Sequence, residues 1–460
     1  MVFSSIFFIF CFLPVFMLIY YLVPGKGKDI VLFAGSLVFY AWGEPVYVIL
    51  MMFSALFNYY MGLELDRCPE ESRKANLIFA IIVNTAILGF FKYYGFLLDT
   101  VGGLIGHAIS HPELSLPIGI SFYTFKNLSY IIDVYREKIY SQENFLTFCV
   151  YSTMFPHMAA GPIVRYADIE KQLERRPVNI MKFGVGAEYF IKGLAKKVIL
   201  ADNLAVIYNS VSSSSHNAVL TAWIGIFAYT MQIYFDFSGY SDMAIGIGRM
   251  LGFDFLKNFD YPYISGTITE FWRRWHMSLG SWFRDYIYIP LGGNRVSTLK
   301  HIRNILIVWA LTGLWHGASW NFVLWGVYYG ILQLFEKYFL SDYLGRAPKI
   351  VGNIYTMFCV VIGWVFFSQT SFGAIANYLG TMFGPAASGF ADSATFYYFR
   401  TGIVLFVICI IACRPALQER FRKLMKRNMP AAIAIDAALL AISTAYMVYN
   451  SYSPFLYQKF

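Results

Sequence analysis

The sequence predicts an all-α polytopic membrane protein, and its composition and hydrophobic pattern carry that prediction. Of 460 residues, 58% are hydrophobic and only 14% are charged, whereas a soluble domain carries about 25% charged residues. The apolar runs are continuous, which favours membrane helices over the alternating strands of a β-barrel. The net charge of +9 fits basic loops on the cytoplasmic side of a membrane, so it does not imply a nucleic-acid partner.

The apolar runs predict eleven membrane helices, at residues 4–23, 30–43, 45–63, 75–98, 144–164, 183–200, 219–235, 303–337, 350–367, 399–413 and 431–449. Two more apolar stretches are broken, 114–130 by Pro117 and Gly119, and 155–165 by two prolines. Breaks free backbone groups that lipid cannot satisfy. We therefore expect these stretches to be re-entrant and to line an internal chamber.

The charged loops predict the topology. Residues 1–25 are uncharged and lack the basic region of a signal peptide, which predicts a retained first helix. Lys26 and Lys28 follow it, so we expect the N-terminus outside. Residues 414–427 hold six basic residues and one acidic residue, which predicts a cytoplasmic loop and an external tail at 451–460. With no internal repeat and no soluble segment, the chain is expected to form one membrane domain, 1–460.

The stretch 305–335 contains no Asp, Glu, Lys or Arg and has one histidine, His316, near its middle. A titratable side chain at membrane depth is costly to bury and indicates a functional site. A lone buried histidine is also compatible with a neutral, hydrogen-bonded core residue. Both interpretations are open on these residues alone.

The segment 267–293 is rich in aromatic and basic residues. On a helix of about 100° per residue, Trp275 lies on an aromatic face, Arg273 and Arg274 lie on the polar face, and His276 lies at the edge between them. This pattern predicts an amphipathic helix at the membrane surface or at a funnel mouth. Its arginines either anchor the segment or meet an anionic cytosolic ligand such as a phosphopantetheine donor.

Two other features remain open. Asp236 and Asp242 are charges in an otherwise apolar region, and Asp242 either pairs with an arginine or belongs to a site. The six cysteines contain no CxxC pair, so we expect neither a disulfide framework nor a metal site.

Together these segments resemble the membrane-bound O-acyltransferase superfamily and, within it, the alginate O-acetyltransferase family. The matching runs are 1–16, 116–136, 155–166, 232–255, 261–295, 311–330 and the tail 453–460. The block 232–330 is the most specific. The chain departs from the family pattern at Lys126-Asn127 and at Lys459.

The resemblance implies a curved ring of about eleven tilted helices, with re-entrant and amphipathic helices, around a central tunnel. In that tunnel a cytosolic acyl thioester meets an acceptor from the other side. It also implies that His316 is the general base and that His276 is a second required polar residue. The further candidates for substrate or donor binding are Trp275, Arg273, Arg274, Trp315, Ser319, Asn321 and Asp242.

Acetyl transfer from a thioester to a hydroxyl needs a base, a stabilised oxyanion and exclusion of water. Histidine suits the role of base because its ordinary pKa lies near neutral pH. Burial among tryptophans should favour the neutral imidazole of His316; the expected neighbours are Trp309, Trp315 and Trp320. Small residues should leave room for a thin acyl chain; they are Gly313, Gly317 and Ala318.

His276 is expected to position the donor or to help stabilise the oxyanion. Ser319 is a weaker candidate for an acyl-enzyme nucleophile, because serine in an apolar helix more often packs or bonds locally.

We therefore expect an O-acetyltransferase of the bacterial inner membrane, with no bound cofactor. Its donor would be acetyl-CoA or an acyl carrier protein, its acceptor an alginate-like or cell-wall polysaccharide, and its partner an extracytoplasmic acetyltransferase. One alternative is a D-alanyl or other acyl transferase to teichoic acid or another cell-wall polymer. Another is a transporter using Asp236, Asp242 and His316, although the sequence lacks the two-half repeat of many transporters.

Overall fold

The computed structural model describes residues 1–158, 160–214 and 217–449, except for the side chain of Lys426. Regular structure in this part of the chain is helical, without strands, which confirms the predicted all-α class. The tail 451–460, with Lys459, lies outside the described residues. The chain divides into two compact units, Met1–Phe190 with Ser241–Leu256, and Ile191–Tyr240 with the described residues from Lys257 onward. One membrane domain over 1–460 stays a prediction.

Up to residue 195, long apolar helices alternate with short ones. They are α1 Leu13–Leu22, α2 Gly27–Ala41, α3 Tyr47–Arg67, α4 Glu70–Ile105, α5 Ile120–Tyr135, α6 Phe145–Thr153, α7 Tyr166–Glu174 and α8 Ile180–Ala195. A π-helical turn, Phe8–Phe12, precedes α1.

The remaining helices run from residue 202 to residue 449. They are α9 Asp202–Ser212, α10 Val219–Met250, α11 Ile268–Arg274, α12 Met277–Phe283, α13 Thr298–His316, α14 Trp320–Phe335, α15 Ser341–Arg346, α16 Lys349–Ser368, α17 Phe372–Phe383, α18 Ser393–Ala412, α19 Pro415–Arg427 and α20 Met429–Tyr449. Further π turns occupy Lys196–Ala201, Arg284–Tyr288 and Glu336–Leu340.

Most predicted spans coincide with these helices to within a few residues; α2, α16 and α20 are examples. The predicted span 144–164 is wrong as a continuous helix. There α6 ends at Thr153, a single 3₁₀ turn covers Phe155–His157, and the next helix begins at Tyr166. Pro156 explains the break, because it has no backbone N–H to continue the helix. The predicted span 219–235 ends too early, because α10 continues to Met250. The predicted span 303–337 also fails and is described with the site.

Within the described residues, five helices are long and apolar enough to cross a membrane: α3, α4, α16, α18 and α20. At 1.5 Å per residue, α4 is about 54 Å long, so it extends beyond a hydrocarbon core of about 30 Å or is strongly tilted. The ring of about eleven spans and its tunnel stay predictions.

The predicted break in 114–130 is confirmed, because α5 begins only at Ile120. Gly119 precedes it in the left-handed region, at φ 73°, where glycine is favoured. Within α5, Lys126 is fully buried, and its ammonium donates to the carbonyls of Tyr151 (3.2 Å) and Ser152 (2.6 Å). These carbonyls lie in the last turn of α6 and lack helical donors. Lys126 therefore caps α6 and complements the negative end of its dipole.

Candidate active site

The stretch around His316 is a helical hairpin, not the single span predicted over 303–337. Helix α13 ends at His316, Gly317 is extended at φ −176°, and α14 begins at Trp320. The two helices are antiparallel in the second unit. A methyl group on Gly326 of α14 would overlap the backbone of Trp309, and one on Gly313 of α13 would overlap that of Phe322. The glycines therefore permit close helix contact, which differs from the predicted room for an acyl chain.

His316 lies at the tip of this hairpin, in an aromatic cage. The side chain is only 3% exposed. Its ring centroid lies 5.0 Å from Trp315, 4.9 Å from Trp325 and 5.3 Å from Phe367, each in an edge-on arrangement. The predicted neighbour Trp315 is confirmed. Trp320 is 49% exposed, and its place beside His316 stays a prediction. Trp309 packs on Trp325 and Tyr329, one layer further away.

His276 reaches the same indole from a different element. Its ring is 2% exposed and lies 5.7 Å from Trp315 and 4.7 Å from Phe237, centroid to centroid. Its Nδ1 lies 3.2 Å from Oδ1 of Asn258. The structure therefore brings together the two histidines predicted for catalysis, His276 and His316, through their shared neighbour Trp315.

The segment 267–293 is not the continuous amphipathic helix that was predicted. Helix α11 ends at Arg274, α12 begins at Met277, and His276 between them has φ 45°. A left-handed residue cannot continue a right-handed helix. The helical wheel had placed His276 at the edge of the aromatic face. The break instead turns its side chain into the interior.

The neighbouring candidates differ in their surroundings. Trp275 is buried, stacked on Phe271 at 5.6 Å and 4.9 Å from Trp364, so packing accounts for it. Arg274 forms ion pairs with Asp260 at 3.3 Å and Glu270 at 2.9 Å. Arg273 is exposed.

Three other candidates have surroundings of their own. Ser319 precedes α14 and accepts the Phe322 N–H through its backbone carbonyl at 3.2 Å. Asn321 is buried and donates to the carbonyl of Phe366 at 3.4 Å. Asp242 is half-buried on α10, in the part of that helix that belongs to the first unit. Their roles in binding stay predictions.

Two polar features escaped the sequence reasoning. Asn258, in the coil before α11, is buried against His276. Lys197 is buried and pairs with Asp236 at 2.9 Å and Asp202 at 2.7 Å. The lysines within the otherwise apolar run 183–200 were the available signal for this ion pair. For Asn258 there was none, because only the fold places it beside a residue 18 positions later. Among the described residues, no group of three or more His, Cys, Asp or Glu side chains is placed to hold a metal.

Comparison with known proteins gives the class to which this site belongs. Residues 134–375 match the model of the MBOAT, membrane-bound O-acyltransferase family. This range contains the predicted core 232–330 and both histidines. The chain belongs to the membrane-bound O-acyltransferase family, and it is therefore a membrane enzyme that transfers acyl groups to oxygen. Membership in this family removes the transporter alternative.

Individual relatives are similar over much of the chain. The probable alginate O-acetylase AlgI of Azotobacter vinelandii is 41% identical over 389 residues, which is 83% of this chain and 78% of that protein. The peptidoglycan O-acetyltransferase of Helicobacter pylori is 33% identical over 421 residues, 84% of this chain and 80% of that protein. The teichoic acid D-alanyltransferase of Bacillus subtilis is 28% identical over 298 residues, 57% of this chain and 73% of that protein.

Proposed function

We propose that this protein moves an acetyl group from a cytosolic thioester across the membrane for O-acetylation of an extracytoplasmic polysaccharide. The observation that carries the proposal is the meeting of two buried histidines at Trp315, inside the range that matches the family. The choice of acetyl is supported by two relatives named for O-acetylation, of alginate and of peptidoglycan.

His316 is the proposed general base. The hydroxyl oxygen of the acceptor attacks the thioester carbonyl carbon, a C–O bond forms and the C–S bond breaks. The hydroxyl proton passes to the neutral imidazole and from there to the departing sulfur, so the products are an acetyl ester and a free thiol. The aromatic cage of Trp315, Trp325 and Phe367 supports this role, because it keeps water from hydrolysing the thioester.

The proposed donor is acetyl-CoA or a phosphopantetheine thioester on an acyl carrier protein. Arg273 is the better candidate for its phosphates, because Arg274 already pairs with two carboxylates. The acetyl group then passes to the polymer directly or through an extracytoplasmic acetyltransferase, which we propose as the partner. The location is the bacterial inner membrane, with the N-terminus outside and 414–427 in the cytoplasm.

A second candidate is D-alanyl transfer to teichoic acid, favoured only by the relative that carries that name. That relative is 28% identical over 57% of this chain. Both values are lower than those of the alginate O-acetylase of Azotobacter vinelandii. The two candidates share the base and the bond changes, so they differ in the acyl group and the acceptor.

The test uses membranes containing the full-length protein, radiolabelled acetyl donor and separated cell-wall fractions. We expect His316→Ala to lower acetyl transfer by about 10²–10⁴-fold per folded protein, the contribution of a general base. His301→Ala is the matched control, because His301 is also buried on α13 but has both ring nitrogens bonded, to Tyr338 at 2.9 Å and Lys337 at 3.1 Å. It should stay within a few-fold of wild type.

Near-normal transfer by folded His316→Ala would overturn the assignment of the base. Transfer of labelled D-alanine, with no transfer of acetyl, would select the second candidate.

A further inference from the structure

The two ring nitrogens of His276 differ in their hydrogen bonding. Its Nδ1 lies 3.2 Å from Oδ1 of Asn258. Its Nε2 is buried, and within 1–158, 160–214 and 217–449 it has no hydrogen-bond partner. Buried polar atoms are nearly always paired, so such an atom calls for a specific explanation.

The hydrogen bonds around Asn258 determine which atom of its amide faces the histidine. The backbone N–H of Ser278 donates to the Oδ1 position at 3.3 Å, and the Ser278 hydroxyl donates to it at 2.9 Å. A backbone N–H can only donate, so the amide atom at this position must be the oxygen. The Asn258 carbonyl also accepts the Met277 N–H at 2.9 Å, so Asn258 holds the turn by its backbone and its side chain.

The oxygen of Asn258 is an acceptor, so the atom facing it must carry the hydrogen. In a neutral imidazole with its hydrogen on Nδ1, the lone pair is on Nε2. The Ser278 hydroxyl also lies 3.5 Å from Nδ1, but its hydrogen is directed to the nearer oxygen of Asn258. The surroundings of His276 therefore select one tautomer.

We infer that Asn258 is a positioning residue that holds His276 with its hydrogen on Nδ1, so that Nε2 accepts a hydrogen bond from the substrate. The inference rests on the proposed function and narrows the role of His276 within it. An oxyanion needs a donor, and Nε2 in this tautomer has no hydrogen to give. His276 therefore acts as an acceptor and does not stabilise the oxyanion.

The group that Nε2 meets must carry a hydrogen on oxygen or nitrogen. Two parts of the substrates satisfy this, the hydroxyl of the acceptor and an amide N–H of a pantetheine arm. The side chain of His276 packs against the rings of Phe237, Phe259 and Trp315. The two phenyl rings carry no N–H, and the indole N–H of Trp315 is not bonded to Nε2, so a correctly placed substrate group is favoured strongly in these apolar surroundings.

The experiment reads the tautomer directly, in full-length protein labelled with ¹⁵N-histidine and reconstituted in lipid nanodiscs. The chain has seven histidines, and the His276 signals are those that disappear in His276→Gln. We expect wild type to show a protonated Nδ1 and a bare Nε2. Asn258→Ala should lose this preference and lower kcat by about 10–100-fold, the cost of removing a group that orients a functional histidine.

Two further variants separate positioning from folding. Asn258→Asp retains an oxygen acceptor, so it should keep the Nδ1–H signature and regain at least tenfold of the kcat lost in Asn258→Ala. Asn353→Ala is the matched control, because Asn353 also bonds by its amide in the second unit, to the carbonyls of Tyr263 (2.9 Å) and Ser265 (3.0 Å). It should change neither the signature nor kcat per folded protein.

Steady-state kinetics, with the concentration of donor or acceptor varied, distinguish which of the two groups donates its hydrogen to Nε2. A raised KM for the acceptor in Asn258→Ala identifies its hydroxyl, and a raised KM for the donor identifies the amide N–H. A hydrogen on Nε2 in wild type, or an unchanged signature in Asn258→Ala, would overturn the inference. An Nδ1–H signature in a protein that transfers no acyl group would support the tautomer and count against the proposed function.

Discussion

The hairpin that carries His316 depends on glycines at the contact between α13 and α14. A methyl group on Gly326 would overlap the Trp309 carbonyl oxygen and lie 3.3 Å from the Cα of Gly313. A methyl group on Gly313 would overlap the carbonyl oxygen of Phe322. Backbone atoms cannot rotate away as a side chain can, so either substitution must push the helices apart.

Two opposing effects determine how much either substitution lowers the free energy of unfolding. Overpacking costs about 1–3 kcal/mol, and a clash with backbone belongs at the upper end. Alanine regains about 1 kcal/mol of helix propensity over glycine. Gly326→Ala and Gly313→Ala should therefore each lower the free energy of unfolding by about 2 kcal/mol. Once one methyl group has separated the helices, the second costs less, so the double variant should fall short of the sum by about 0.5 kcal/mol or more.

Unfolding of the purified protein by sodium dodecyl sulfate in mixed micelles measures these values. Gly89→Ala in α4 is the control, because no heavy atom lies within 4 Å of its added methyl group; it should be neutral or slightly stabilising. Acetyl transfer per folded protein should also fall in the hairpin variants, since His316 follows Gly313 by less than one turn. A Gly326→Ala variant as stable as Gly89→Ala, or strict additivity of the two losses, would refute the shared contact.

Two further predictions concern charges. Lys197→Met removes the ammonium that pairs with the buried Asp236 at 2.9 Å, and we expect a loss of about 3–5 kcal/mol in the same unfolding assay. A loss below about 1 kcal/mol would show that the pair is not buried from water. Arg420→Cys, in the basic loop 414–427, should react with an impermeant maleimide only from the cytoplasmic side. A tag before Met1 should be detected only from outside. Labelling of both from the same side would contradict the predicted topology.

The agreement between predicted spans and helices has a simple cause. In lipid every backbone group must be satisfied within the segment, so a long apolar run forms a helix. Helix α16, at Lys349–Ser368, differs from its prediction by one residue at each end. The hairpin at His316 was also within reach of the sequence. A helix over 303–337 would be about 50 Å long against a hydrocarbon core of about 30 Å, and Gly317 to Ser319 supplies the turn.

The break at His276 was not predictable in the same way. Neither glycine nor proline marks it, and the helical wheel over 267–293 gave a consistent aromatic face. The left-handed conformation at φ 45° is held by tertiary bonds, from Asn258 to Met277 and Ser278. Since Asn258 is remote in sequence, periodicity alone contains no information about this bond.

The sequence shows each of these histidines only as a histidine among apolar residues. In the structure, the donors and acceptors around each ring determine which of its nitrogens carries the hydrogen. His301 has both nitrogens bonded to other side chains, so it is a structural residue. Nδ1 of His157 lies 3.1 Å from Lys126, and an ammonium only donates, so Nδ1 accepts and the hydrogen is on Nε2. At His276 the partner is an amide oxygen, which reverses the assignment and leaves a lone pair on Nε2. The type of partner, more than burial, therefore determines what a buried histidine can offer to a substrate.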